Sequence, residues 1–528
     1  MTKRTLISFV GFITIISLLI LNLFNIIKDG KYAQTGNSMA TNTIETGNAR
    51  GEILDCNMIP LVNIKKKTVA VINPTTEALA ELSRVLTKEE MKQIIEYYRI
   101  GKPFVFEMDT KNIHCDDILL IETSERYTTY QLAPHIIGYL DASKHEGVYA
   151  IEKAYNDILK NSSGIKITYA VDANGRALPG IAPEVSNIWD KSRVVLTLDS
   201  NIQLATQNVL KENVKAGAAV VADITNGEIK AVVSVPDFTP DNLGIALKNS
   251  DSPFINRAFT SYNVGSVFKL VSVCAALENK VSPSYDYTCT GSISVKDLSF
   301  NCHKFDGHGG IDMQKAVEQS CNTYFIDLIL SLGGDKLLDM AGTLGFGRET
   351  VFAPDYKSSG GGLPNRESFI NPAAVGNFAF GQGDLMATPV QMANLMYTIC
   401  SKGEMGQLSL VKETTDNKGK TVKIKPHEKT RVLSEDTAQK IMEYMKSVVE
   451  SGTGMTAKPT NVTAAGKTAT AQTGIIKDNR EVVQSWFAGF FPYENPKYAI
   501  VVITEDSENS EGIKAAPIFK AIAERIAE

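Results

Sequence analysis

The sequence predicts an α+β fold, one antiparallel sheet flanked by helices, preceded by an elongated α+β segment and an N-terminal membrane helix. Three observations carry this. Apolar strand patterns at 218–224 and 228–235 are joined across Thr225-Asn226-Gly227, a strong hairpin signal. Two more strand patterns, 482–491 and 498–504, recur far along the chain, and an amphipathic helix at 516–527 follows them. The stretch between is dominated by helical patterns, among them an almost wholly apolar helix at 262–278. Strands at both ends of a helical middle imply one sheet assembled from distant segments and covered by helices.

In chain order, residues 5–27 are 23 consecutive uncharged positions rich in Ile, Leu and Phe. They make about 35 Å of helix at ~1.5 Å per residue, enough to cross a bilayer. Lys3 and Arg4 precede them, which favours a cytoplasmic N-terminus with the rest of the chain on the outer face. A cleaved signal peptide fits less well, because the apolar run is long and no Ala-x-Ala site follows promptly. Residues 30–45 are small and polar, a tether. Residues 45–188 alternate short strands with charged helices and carry no nucleophile or metal constellation, so they read as a pedestal or docking domain. Residues 190–528 hold the sheet and the chemistry. With 54 basic and 59 acidic residues, a net charge of −5, no basic field points to nucleic acid. Seven irregularly spaced cysteines exclude a disulfide scaffold.

The chemistry begins at Ser266-Val-Phe-Lys269. Spacing of three puts both polar side chains on one face of the apolar helix. Burial disfavours the ammonium, so the Lys269 amine becomes a base for the Ser266 hydroxyl. Other Ser-x-x-Lys copies, Ser163–Lys166 and Ser409–Lys412, lack a buried helix around them. Further on, Ser320-Cys-Asn322 places a hydroxyl and a carboxamide before an apolar helix, suited to relaying a proton and orienting the lysine. Lys467-Thr468-Ala-Thr470 then gives a strand with a positive charge and two hydroxyls, suited to a carboxylate.

These three motifs in this order resemble those of the penicillin-binding proteins, in particular the class B, monofunctional, high-molecular-mass transpeptidases. Arg50-Gly51-Glu-Ile-Leu-Asp55, Gly147 to Tyr155 with Glu152, Asn256-Arg257-Ala258, Gly381-Gln382-Gly383, Thr388-Pro389-Val-Gln391 and Trp486-Phe-Ala-Gly489 also match, so the resemblance covers nearly the whole chain. It implies a penicillin-binding/serine β-lactamase-like domain in which Ser266 is the acylated nucleophile, Lys269 its base, and Ser320 and Asn322 the second motif. Lys467, Thr468 and Thr470 would hold the substrate carboxylate, with the N–H groups of Ser266 and Thr470 as oxyanion hole. The implied substrate is the D-alanyl-D-alanine end of a peptidoglycan stem peptide, cross-linked to an amine on a neighbouring stem, with β-lactams as mimics. No cofactor is required for that catalysis. The implied partners are a SEDS-type glycan polymerase and other cell-wall synthesis proteins, the location the cell membrane with a single pass. A glycosyltransferase activity is disfavoured, because residues 45–190 are too few for it. A D,D-carboxypeptidase, a β-lactamase-like hydrolase or a non-catalytic division or sporulation scaffold are the alternatives. Two departures stand out: Ala469 where the family has Gly, and Val264 where it has Pro.

Between the first two motifs, Cys289, Cys302, His303, Asp306, His308 and Asp312 fall within 24 residues. They admit a structural zinc held by Cys289, Cys302 and His308, with His303, Asp306 or Asp312 as fourth ligand. A Cys289–Cys302 disulfide and free thiols are the competing readings.

Overall fold

The hairpin at 218–235, the strand at 465–477 and the strands at 482–504 join into one five-stranded antiparallel sheet. The computed structural model describes every residue except 1–2, 29–39, 109–112, 144–145, 161–162, 189–190, 478–479 and 506–513. Helix α1 (Ser200–Asn213), capped by the Asp199 carboxylate, leads into β1 (Gly217–Asp223) and β2 (Ile229–Val235). The helices that follow include α2 (Lys269–Glu278), α3 (Asn322–Leu332), α4 (Pro389–Cys400) and α5 (Glu435–Glu450). Then come β3 (Ala465–Lys477), β4 (Arg480–Phe491), β5 (Tyr498–Thr504) and the closing helix α6 (Ala515–Ala527). The spatial order is β2-β1-β5-β4-β3.

Alternate residues of each strand enter opposite cores, as a period of two requires. Val220, Val501 and Trp486 face one layer with α2, α3, α4 and α5, while Val221, Val502 and Phe487 face the other with Phe519 and Ile522 of α6 and Val209 of α1. Because both faces are covered, β1 and β2 are buried at every position, which is why they read as continuous apolar runs.

The apolar stretch 262–278 is not one helix. Tyr262–Asn263 pairs with Met386–Ala387, Gly265–Phe268 form a 3₁₀ turn, and α2 begins only at Lys269. Gly265 sets the break with φ +63°, a left-handed conformation that disfavours any side chain.

The chain divides into two compact units. One comprises Met1–Arg50, Asn63–Arg126 and Ser162–Asp190; the other comprises Gly51–Val62, Tyr127–Asn161 and Lys191–Glu528. The first holds two three-stranded sheets and the helices Thr76–Val85 and Lys88–Ile100. Those helices divide the predicted charged stretch where Thr87 caps the second through a capping box. Segments Gly51–Val62 and Tyr127–Asn161, which the sequence groups with the pedestal, pack into the sheet-bearing unit. There the signature from Gly147 to Glu152 is a fold lock: a Cβ on Gly147 would lie 1.9 Å from the Glu152 carbonyl, and the buried Glu152 carboxylate accepts from the Tyr127 hydroxyl at 3.1 Å.

Residues Lys3–Lys28 form a single 26-residue helix. Side chains are described for its residues 9–25, and the large apolar ones, such as Phe12, Leu19 and Phe24, are exposed. Among the described residues no helix is long and apolar enough to cross a membrane. Of the expected tether at 30–45, residues 30–39 lie outside the described residues, and its end belongs to the strand Thr41–Ala49.

Candidate active site

The 3₁₀ turn at Gly265–Phe268 eclipses residues three apart, so Ser266 and Lys269 lie one above the other at the start of α2. Ser266 is half-buried and opens on a cleft of about 500 Å³, which Ser320, Asn322, Thr468, Ala469 and Thr470 also line. Lys269 is fully buried. Its Nζ donates to the Ser320 carbonyl at 2.6 Å and to Asn322 Oδ1 at 2.7 Å, and lies 3.3 Å from Ser320 Oγ. Burial pushes the Lys269 amine down to about 7, against the opposing pull that thiolate charge on Cys321 and Cys302 exerts. A neutral amine has two N–H bonds, and the two short contacts use both. The lone pair is then free to accept a proton.

Ser320 sits in the left-handed region at φ +54°, a conformation uncommon for a non-glycine residue and concentrated at functional sites. Asn322, expected on the loop, is instead the first residue of α3. Lys467 on β3 is fully buried as well; its Nζ donates to Ser320 Oγ at 2.9 Å and to the Thr468 carbonyl at 3.1 Å. Burial, and then the charge of Lys269, push Lys467 well below the ordinary lysine range. Its positive charge, which the sequence treats as fixed, therefore depends on an anion entering the cleft. The three motifs thus meet at Ser320.

Close backbone approach holds them there. A Cβ on Gly265 would lie 3.1 Å from the Thr470 carbonyl, and one on Gly381 would lie 2.0 Å from the Gly265 carbonyl. The Gly265 N–H donates to the Gly381 carbonyl at 2.9 Å. Trp486, paired across the sheet with Ala469, donates its indole N–H to the Asn263 carbonyl at 2.9 Å. Ala469 is 5% exposed, so its extra methyl fits without disturbing the strand pairing.

Thr453, Thr456, Ser485 and Lys514 line the cleft and escape sequence reasoning, while His303, read from the sequence as a candidate metal ligand, lines the cleft as well. Thr453 had a signal. It lies in Ser451-Gly-Thr-Gly454, where a Cβ on Gly452 would meet the Glu318 carbonyl at 2.4 Å, and its hydroxyl pairs with that of Thr468 at 2.9 Å. Ser485 and Lys514 had none.

Cys289, Cys302 and His308 converge, and the fourth member of their cluster is Cys321, with all four ligand atoms within 4.8 Å of one another. This corrects the expectation of His303, Asp306 or Asp312. Asp312 caps the helix Met313–Glu318 by accepting from the Lys315 N–H at 2.9 Å, while His303 and Asp306 are exposed. All seven cysteines are free in this structure, Cys289 and Cys302 among them.

Residues 217–524 match the family model for the penicillin binding protein transpeptidase domain. Stage V sporulation protein D of Bacillus subtilis is 29% identical over 89% of this chain and 76% of its own length. The peptidoglycan D,D-transpeptidase FtsI of Buchnera aphidicola is 27% identical over 78% of this chain and 72% of its own. Among solved structures, penicillin binding protein 3 of Mycobacterium tuberculosis in complex with aztreonam superposes with a TM-score of 0.66 at 23% identity, covering 91% of this chain and 96% of that one. At that identity the superposition speaks for the fold.

Proposed function

The chain belongs to the penicillin-binding protein transpeptidase family, among its class B members, and from that premise we propose that it cross-links peptidoglycan stem peptides by a serine acyl-enzyme. The observation that carries the reading is the fully buried Lys269 amine, held by two short hydrogen bonds, together with the cleft that Ser266 opens on.

Lys269 takes the Ser266 proton as Oγ attacks the penultimate D-Ala carbonyl. The Oγ–C bond forms, and the backbone N–H groups of Ser266 and Thr470 receive the developing oxyanion. The C–N bond then breaks. The terminal D-Ala leaves as an amine, taking a proton passed from Lys269 through Ser320, which lies against both lysines. Thr468, Thr470 and Lys467 hold the departing residue's carboxylate. An amine of a neighbouring stem then attacks the ester and gives its proton to Lys269, which passes it to Ser266 Oγ as the C–Oγ bond breaks, restoring both groups. A β-lactam follows the same first step, but its leaving group stays tethered and blocks the acceptor.

Transfer is favoured over hydrolysis because, among the described residues, no carboxylate lines the cleft to activate water. The uncharged run 5–27, of which side chains are described only for 9–25, is assigned as the membrane anchor on its sequence and on the exposure of those apolar side chains, with the cleft on the outer face and a SEDS-type glycan polymerase as partner. Full-length protein in detergent, treated with a fluorescent penicillin, is expected to carry one persistent adduct by intact mass. Ser266→Ala should carry none. Rapid loss of the adduct would make the chain a hydrolase, and labelling of the alanine variant would remove Ser266 from the mechanism.

A further inference from the structure

We propose that Cys289, Cys302, His308 and Cys321 bind one zinc ion, and that this metal holds the second motif in register with Lys269; the second half rests on the function proposed above. The four ligand atoms lie within 4.8 Å of one another, and the two edges from Cys302 to Cys321 and His308 already have the length a metal needs. A tetrahedral zinc with Zn–S of ~2.3 Å and Zn–N of ~2.0 Å has S···S edges of about 3.8 Å and S···N edges of about 3.5 Å. Cys302 Sγ is 3.9 Å from Cys321 Sγ and 3.5 Å from His308 Nδ1. The three thiols are at most 2% exposed and His308 is half-buried, leaving one side for the ion to enter. Three sulfurs and one imidazole select zinc over the harder divalent cations, and a closed four-ligand set marks a structural site.

The segment that supplies the first three ligands cannot hold itself together. From Tyr287 to Ile311 it folds as two small hairpins, and its buried hydrophobic side chains are only Cys289, Val295, Cys302 and Ile311. So little apolar surface calls for a cross-link or a metal. Its turns are nonetheless tight: a Cβ on Gly307 would lie 2.1 Å from the Cys289 carbonyl, and one on Gly291 would lie 1.9 Å from the Phe305 carbonyl.

The fourth ligand connects this segment to the chemistry. Cys321 stands between Ser320 and Asn322, the two residues that receive the Lys269 amine. Next to the Cys302–Cys321 contact, the Asn301 carbonyl accepts from Asn322 Nδ2 at 3.3 Å. That contact turns the carboxamide so that its oxygen, and not its NH₂, faces Lys269. Ligation of Cys302 and Cys321 by one ion fixes the two backbones that bracket it. The metal thus orients Asn322 and takes no part in bond making, the place an outer shell holds around a reacting group.

The test uses the full-length chain. Metal analysis should find one zinc per chain, and none in Cys321→Ala. Cobalt in place of zinc should give thiolate-to-metal charge-transfer bands and the intense d–d bands of a tetrahedral centre, both weakened in His308→Ala. Chelation should slow penicillin acylation of Ser266 about tenfold or more, with recovery on adding zinc. Should Cys321→Ala fail to fold, the cobalt spectrum of the unmutated chain decides. Absence of stoichiometric metal together with absence of cobalt bands, or a Cys302–Cys321 disulfide in the peptide map, overturns the site. Zinc bound with acylation indifferent to its removal overturns the positioning role. Zinc bound with no adduct on Ser266 at all overturns the transpeptidase reading and leaves the metal site standing.

Discussion

Lys269 and Ser320 are bound twice over: the buried amine donates to the Ser320 carbonyl at 2.6 Å and lies 3.3 Å from its hydroxyl. The carbonyl reaches the amine because Ser320 adopts φ +54°. The lysine is therefore held from the second motif, and its burial sets its protonation.

Replacing the amine removes the base and keeps the volume. Lys269→Met is expected to remain folded by circular dichroism while acylation by a fluorescent penicillin falls about 10²–10⁴-fold, the range a general base supplies. Acylation within tenfold of the unmutated chain would exclude Lys269 as the base.

The pH dependence follows from the direction of the shift. With Lys269 lowered to about 7, the free amine prevails above that pH and the ammonium below it. Acylation should rise about tenfold per pH unit below 7 and level off above. Stability carries the same sign: between about 7 and the ordinary 10.5 the unfolded chain holds a proton the folded chain has shed, so this group's contribution to stability rises with pH across that window. Stopped-flow acylation from pH 5 to pH 9 checks the first point; a profile that falls with rising pH would contradict it.

Much of this site is legible in the sequence, because strand periodicity and the three motif spacings are local signals. Ser266, Lys269, Ser320, Asn322 and Lys467 are brought together from 202 residues of chain. What is not legible arises from tertiary approach. Cys321 hides inside the second motif, 13 positions beyond His308, and only the fold brings its sulfur to Cys302. The single helix read across 262–278 fails at Gly265, where the need for backbone contact with Gly381 and β3 overrides helical periodicity. Lys514 reaches the cleft from the N-cap of α6, where the helical pattern carries no sign of a cleft residue.

That backbone contact yields its own prediction. Gly381 touches no reacting group, yet a methyl there would collide with the Gly265 carbonyl at 2.0 Å, and its φ of +87° already disfavours a side chain. Gly381→Ala should displace the Ser266 turn and lower both acylation and melting temperature. Gly383→Ala shares the positive φ but would meet only the Asn377 Cβ at 3.5 Å, so its loss should be limited to about 1 kcal/mol of backbone strain. Equal damage from both would mean that strain, and not the collision, governs the turn.

Lys467 gives the remaining prediction. An empty cleft keeps its ammonium well below the ordinary range, since Lys269 stands nearby and no anion compensates the burial. A substrate carboxylate supplies that anion, so binding and protonation of Lys467 are coupled. Lys467→Met should therefore slow acylation by a thioester ending in a carboxylate far more than by the matching amide. The unmutated chain, in contrast, should prefer the carboxylate, and the preference should weaken as pH rises and the ammonium becomes harder to form. Steady-state rates on the two thioesters across pH decide it. A preference that survives Lys467→Met would assign carboxylate recognition to Thr468 and Thr470 alone.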